Sequence, residues 1–305
     1  MEKTTPPRRK RRWMLYVLLA LFASWIIAIQ AGCLAMRTPD REWPAKMQQA
    51  GQSLPPVFWN LQMPGYRTIH AISVSPDTAH PLLVFVHGSP GSTDAYLSYL
   101  ADTALSRVAR MVALDRPGFG YTSGFGHAEG SLQQQAAAVE AVVQRLAPGQ
   151  KVILVGHSMG GPVIARFAMD YPGQVAGLVI VAGSIDPDLE EHPWWQTAVD
   201  IPPLCWLTPK SLWTSNREIK LLEPELRLML PHWAGIRCPV TIVHAEDDRL
   251  VPFANVAFAR RMLVNCADYR EVTLPKGDHF ILWSRQDVVR EAILEMLTRA
   301  YAQKS

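Results

Sequence analysis

Ten consecutive residues constrain this chain more than any others: Val152-Ile153-Leu154-Val155-Gly156-His157-Ser158-Met159-Gly160-Gly161. An aliphatic, β-branched run suited to a buried strand leads straight into Gly-x-Ser-x-Gly, and a helix-compatible stretch follows. A serine at so abrupt a strand–turn–helix junction has a strained backbone and a hydroxyl exposed above the sheet. Side chains two residues to either side would collide, which accounts for glycine at 156 and 160. The motif is weak by itself, because turns are rich in glycine and serine. The strand before it and the ordered signals elsewhere in the chain give it weight.

Those signals alternate between strand and helix. Tyr66–Val74 has strand character, and Leu82–Val86 is a continuous apolar run, as expected of a strand buried on both faces of a parallel sheet. Met111–Leu114 is a short strand. Ser131 can cap a helix with the apolar face Leu132, Ala136, Val139, Val142, Val143 and Leu146, closed by Pro148-Gly149. The helix after Ser158 runs to Tyr171, and the strand Val175–Val181 follows. Val240–Val243 and Tyr269–Leu274 read as strands flanking a helix over Ala254–Val264, and a last helix spans about Gln286–Ala302. Such alternation predicts a mostly parallel α/β sheet with helices on both faces.

One segment interrupts the pattern. Residues 184–235 hold Trp194, Trp195, Trp206, Trp213 and Trp233, half of the ten tryptophans. The segment reads as an insertion with its own small core that also forms a lid over the site. Trp194, Trp206 and Trp213 are then candidates to line an apolar substrate pocket.

The N-terminus has a different character. Residues 1–12 carry a net charge of +5, and the rest of the chain carries −2, so the overall +3 gives no reason to expect nucleic acid binding. Trp13–Met36 is a 24-residue stretch without a charged side chain, long enough to cross a bilayer as a helix. Basic residues before such a span stay cytoplasmic, so residues 1–12 form a cytoplasmic tail and the domain is exported. A retained anchor fits best. A cleaved signal peptide ending near Ile29-Gln30-Ala31 is a second reading. A third is a lipoprotein, because Ala31-Gly32-Cys33 resembles the end of a lipobox, although Gln30 stands where an aliphatic residue is usual. Residues 37–65, with Pro39, Pro44, Pro55, Pro56 and Pro64, read as a linker. Residues 66–305 form the main domain. Cys205, Cys238 and Cys266 lack metal-ligand spacing and read as small buried hydrophobes, and no metal or cofactor is expected.

A serine hydroxyl needs a base, and an imidazole base needs a carboxylate to fix its tautomer. Both follow the serine in the chain. The run Val240–Pro252 places Asp247 and Asp248 in the loop past one strand, and Lys276-Gly277-Asp278-His279-Phe280 places a histidine past the final strand. Loops after parallel strands gather at the carboxyl edge of the sheet, where ligands bind.

In these respects the chain, from about residue 66 to 303, resembles a serine α/β-hydrolase. His87-Gly88-Ser89-Pro90-Gly91 resembles the His-Gly-x-Pro oxyanion loop of epoxide-hydrolase-like and esterase-like members, and Asp115–Ser123 resembles the Asp-x-x-Gly-x-Gly-x-Ser loop. The resemblance implies a triad of Ser158, Asp248 and His279 in the expected chain order. Asp248 is favoured over Asp247 because it stands three residues before the hydrophobic–Pro step, and Asp186 is a remoter alternative. The resemblance also implies an oxyanion hole from the amides of Ser89 and Met159. Arg116 reads as locally paired, and His87, His157 and His244 as structural. A serine where some relatives carry aspartate argues for acyl chemistry on an apolar ester or lipid-like substrate. Amidase or iminopeptidase, carbon–carbon hydrolase and perhydrolase activities fit the same triad. A non-catalytic binding protein is the different-class alternative.

Overall fold

The computed structural model describes residues 8–30, 34–63, 67–75 and 79–301. Eight strands form one sheet: β1 (Val57–Gln62), β2 (Thr68–Val74), β3 (Leu82–Val86), β4 (Arg110–Leu114), β5 (Val152–His157), β6 (Val175–Val181), β7 (Val240–Ala245) and β8 (Tyr269–Leu274). Their order is β1-β2-β4-β3-β5-β6-β7-β8. β1 and β2 are antiparallel to their neighbours, and the remaining strands run parallel. Every residue of β3 to β7 is buried, as expected of central strands covered on both faces. The edge strands β1 and β8 instead mix exposed and half-buried positions.

Helices cover both faces. α1 is Arg8–Gln30, α2 Trp43–Gln49, α3 Leu132–Leu146 and α4 Gly160–Asp170. α5 (Trp194–Ala198), α6 (Leu204–Leu207), α7 (Lys210–Lys220) and α8 (Leu222–Met229) lie between β6 and β7, α9 (Ala254–Met262) follows β7, and α10 (Gln286–Tyr301) follows β8. On one face Val84, Leu154 and Ile180 pack with Val139, Ile164, Phe167, Leu226 and Phe258. On the other, Phe85, Ile153 and Val155 pack with Tyr96, Tyr99, Ile293 and Met296. Fully burying one such aliphatic or phenyl side chain stabilises the fold by about 1.5–3 kcal/mol. Ser131 caps α3 as expected, accepting the Gln134 amide at 3.4 Å.

Residues 37–63 are not a linker. Trp43 and Met47, four apart on one face of α2, are buried in the same core as Phe85, and β1 extends the sheet. The prolines fit this arrangement: Pro44 occupies the first turn of α2, where no amide donor is needed. The preceding residues dock as well. Ser211 Oγ donates to the Leu34 carbonyl at 3.0 Å, Ser92 Oγ to the Met36 carbonyl at 2.8 Å, and the Arg37 guanidinium lies 4.3 Å from the Tyr121 ring centre. Residues 64–66 and Cys33 lie outside the described residues. Cys205, Cys238 and Cys266 are free and half-buried.

The segment between β6 and β7 divides in two. Its second half joins the main core through Leu222, Leu226, Met229 and the fully buried Trp233, whose ring lies 5.4 Å from that of Phe258. The stretch of α5 and α6 buries little: Gln196 is the buried residue of α5, and α6 has none. Trp194 and Trp206 are 81% and 54% exposed. They lie on the outer surface and not in the walls of an enclosed pocket, because these one-turn helices are too short to bury both sides. Trp213 is half-buried, with the Arg217 guanidinium 4.7 Å from its ring centre. α1 packs against α6.

Candidate active site

β5 ends at His157, α4 begins at Gly160, and Ser158 sits between them with φ +53°. Its amide donates to the Val181 carbonyl at 2.9 Å, and its carbonyl accepts the Gly161 amide at 2.9 Å. A Cβ at Gly156 would stand 2.4 Å from the Gly160 carbonyl oxygen, and one at Gly160 would stand 2.1 Å from that of Val86. Both glycines are therefore fixed by backbone contact, in agreement with the sequence expectation.

Asp248 follows β7 and His279 follows β8, both buried at the carboxyl edge of the sheet. His279 Nδ1 lies 2.8 Å from Asp248 Oδ2, while Asp248 Oδ1 accepts the amides of Leu250 and Val251, each at 2.9 Å. Burial pushes the Asp248 carboxyl upward, but the His279 hydrogen bond and the Val251 amide outweigh it and hold it below the usual range. An ionised carboxylate only accepts, so His279 Nδ1 carries the proton and Nε2 is its basic nitrogen. Asp247 is exposed. Asp186 accepts the Asp188 amide at 3.0 Å and lies 3.7 Å from an Arg261 nitrogen, so its carboxylate serves its own turn.

Two histidines support this pair in ways sequence reasoning did not anticipate. His157 Nε2 donates to the His279 carbonyl at 3.0 Å, and the two ring centres are 5.0 Å apart. Burial, aided by nearby His279, holds His157 neutral with a pKa of about 3. His244 Nε2 donates to the Val251 carbonyl at 3.0 Å and stands 3.6 Å from Asp248 Oδ2. Their positions beside the serine motif and at the end of β7 are the signals that could have marked them.

The loop after β3 reaches the same place. A Cβ on Gly88 would lie 3.0 Å from Ser158 Cβ. Among the described residues, neither the Ser89 nor the Met159 amide donates to an acceptor. Arg116 is not locally paired: its guanidinium bonds Glu218 of α7, which lies 102 residues further along the chain. Asp115 is structural, accepting the amides of Thr93 at 2.7 Å and Tyr121 at 2.8 Å. A Cβ on Gly120 would overlap its carboxylate.

A family model described as the alpha/beta hydrolase fold matches residues 81–211, which include β3, its loop and the Ser158 turn. Solved structures with this fold align with nearly their whole length. The chain has the α/β-hydrolase fold. An esterase from Exiguobacterium antarcticum superposes with TM-score 0.61 at 18% identity, covering 79% of this hydrolase and 99% of the esterase. A membrane phospholipase A superposes with TM-score 0.63 at 20% identity, covering 96% of this chain and 99% of its own. In sequence the hydrolase is 28% identical over 244 residues to RutD of Shigella flexneri, named as a carbamate hydrolase, spanning 68% of this chain and 88% of that protein.

Proposed function

We propose that this hydrolase cleaves apolar carboxylic esters through an acyl-Ser158 intermediate, with His279 as base and acid and Asp248 as its orienting partner. The observation that carries the reading is the 2.8 Å His279–Asp248 hydrogen bond at the sheet edge that also presents Ser158. His279 Nε2 takes the Ser158 proton as Oγ attacks the ester carbon. The carbonyl oxygen becomes an oxyanion facing the Ser89 and Met159 amides, where losing one donor costs about 2.7–4 kcal/mol of transition-state stabilisation. Collapse expels the alcohol oxygen, which receives the proton from His279. Water, deprotonated by the same nitrogen, then releases the acid and restores Ser158.

The substrate reading draws on the surface. α1 exposes Trp13, Leu18, Phe22 and Trp25, and residues 12–29 satisfy the length and composition of a membrane span. A retained anchor with the basic tail on the cytoplasmic side leaves the domain on the exported side. Trp206 lies on α6, against which α1 packs, and an ester held at a lipid surface is the favoured substrate class. The membrane phospholipase of like fold is in keeping with this.

The relatives named as carbamate hydrolases favour a second reading, attack on a carbamate carbonyl by the same serine. The test is a panel of p-nitrophenyl esters of rising acyl length beside matched carbamates and amides, with wild type and Ser158→Ala. Ester turnover rising with acyl length and abolished in Ser158→Ala is expected. A preference for carbamates selects the second reading, and full turnover by Ser158→Ala contradicts both.

A further inference from the structure

The Gly88–Ser89 peptide is held from one side by two buried donors. Arg116 Nη2 donates to the Gly88 carbonyl at 2.9 Å and Arg116 Nε to the His87 carbonyl at 2.8 Å. His87 Nε2 accepts the Arg116 amide at 3.0 Å, so its Nδ1 carries the ring proton and donates to the same Gly88 carbonyl at 2.7 Å. Burial, with the Arg116 cation beside it, lowers the His87 pKa to about 3 and keeps this neutral form at working pH. The Gly88–Ser89 bond is trans, and in a trans peptide the carbonyl and the amide hydrogen point in opposite directions. Pinning the carbonyl toward Arg116 therefore turns the Ser89 amide the other way. Gly88 itself lies against Ser158.

Arg116 is completely buried, and so is the carboxylate that neutralises it. Glu218 Oε1 pairs with Arg116 Nη1 and accepts Gln135 Nε2 at 2.8 Å, while Oε2 accepts Arg116 Nη2 at 3.1 Å. Glu218 belongs to α7 in the insertion, Gln135 to α3. A buried guanidinium stripped of its counter-charge cannot hold this geometry without a large desolvation cost.

We propose that Arg116, neutralised by Glu218 and assisted by His87, is a positioning residue that locks the Gly88–Ser89 peptide with its amide directed into the oxyanion hole, so that the insertion completes the hole through Glu218. The proposal rests on the acyl-serine reading above. An ion pair serving the fold alone has no need to grip two successive carbonyls of this loop, and the two roles separate in kinetics.

The experiment uses the full chain with Glu218→Ala, Glu218→Gln and Arg116→Lys, each checked for a native melting transition. The readouts are kcat and KM on p-nitrophenyl butyrate, and inhibition by an alkyl trifluoromethyl ketone and its matched secondary alcohol. The ketone forms a tetrahedral oxyanion on the serine; the alcohol does not. A mispositioned donor should lower kcat by about 10- to 100-fold in Glu218→Ala and by about 100-fold in Arg116→Lys, with KM within threefold. The ketone should weaken in step with kcat/KM and the alcohol should not change. Folded variants that keep kcat within threefold, or weaken ketone and alcohol equally, overturn the lock. If Glu218→Ala does not fold, Glu218→Gln, which keeps the shape and removes the charge, decides by the same ratio. Ser158→Ala runs alongside: retained turnover there contradicts the triad, whereas a dead Ser158→Ala with undiminished lock variants contradicts the lock alone.

Discussion

At Ser158 a non-glycine residue is held at φ +53°, a conformation that costs on the order of 1–3 kcal/mol and persists only where the surroundings over-determine it. Here the flanking glycines and the Val181 carbonyl do so. The choice between adjacent acids is equally local, since Asp248 is buried on His279 and Asp247 faces solvent. Asp248→Asn should lower kcat by about 10⁴-fold, as expected when the histidine loses its orienting carboxylate, while Asp247→Asn stays within twofold. The depressed Asp248 pKa also has a sign in stability. Its contribution is present above the unfolded carboxylate value of about 3.9 and is lost as pH falls through the lower native value. The melting-temperature gap between wild type and Asp248→Asn should therefore be full near pH 6 and shrink once the pH falls below about 3.9.

At the scale of elements, the N-terminal segment is tied down by an ionic contact that titrates. His70 bonds Asp115 at 2.8 Å and Asp40 at 3.1 Å. Burial would lower its pKa, but the hydrogen bonds and charges of Asp115 and Asp40 raise it above the ordinary histidine value. The stabilisation is thus complete below about pH 6.5 and lost as pH rises through the native value. The melting-temperature difference between wild type and Asp40→Asn should be largest below pH 6.5 and shrink above it. The insertion makes a separate prediction. Because Trp194 and Trp206 face outward, Trp194→Ala and Trp206→Ala should leave kcat/KM on a soluble acetate ester within twofold. Hydrolysis of a long-chain ester in anionic vesicles should fall severalfold. Equal losses on both substrates would mean that these tryptophans serve packing.

These elements also show what a sequence can disclose. Strands β3 to β7 were legible because burial on both faces leaves them predominantly apolar. The Ser158 turn was legible because its geometry permits few residue types. Strand β1 was not, since an edge strand mixing exposed and half-buried positions shows neither an unbroken run nor strict alternation, and its flanking prolines suggested a linker. Glu218 was hidden for another reason. It lies in a helix without a clean apolar period, and its partner Arg116 is 102 residues away, so only the fold brings them together.

At the scale of the molecule, the apolar N-terminal helix and the docked segment after it have different roles. Removing residues 1–30 deletes the exposed helix and leaves the contacts of Leu34, Met36 and Arg37 in place. That truncation should be soluble without detergent and retain kcat on a soluble ester within twofold. Removing residues 1–50 also takes Trp43 and Met47 from the core, each substitution-scale loss being about 2–5 kcal/mol, and should lower the melting temperature by more than 10 °C. Equal stability of the two truncations would show that the docked segment contributes nothing to the fold. That Ser158 is the nucleophile, activated by His279, is tested most directly by mass-spectrometric peptide mapping after inactivation with an alkyl fluorophosphonate. A single stoichiometric adduct on the peptide containing Ser158 is expected, formed at least about 10³-fold more slowly in His279→Ala. Complete inactivation with the adduct on another residue, or labelling of Ser158 at an undiminished rate in His279→Ala, would contradict it.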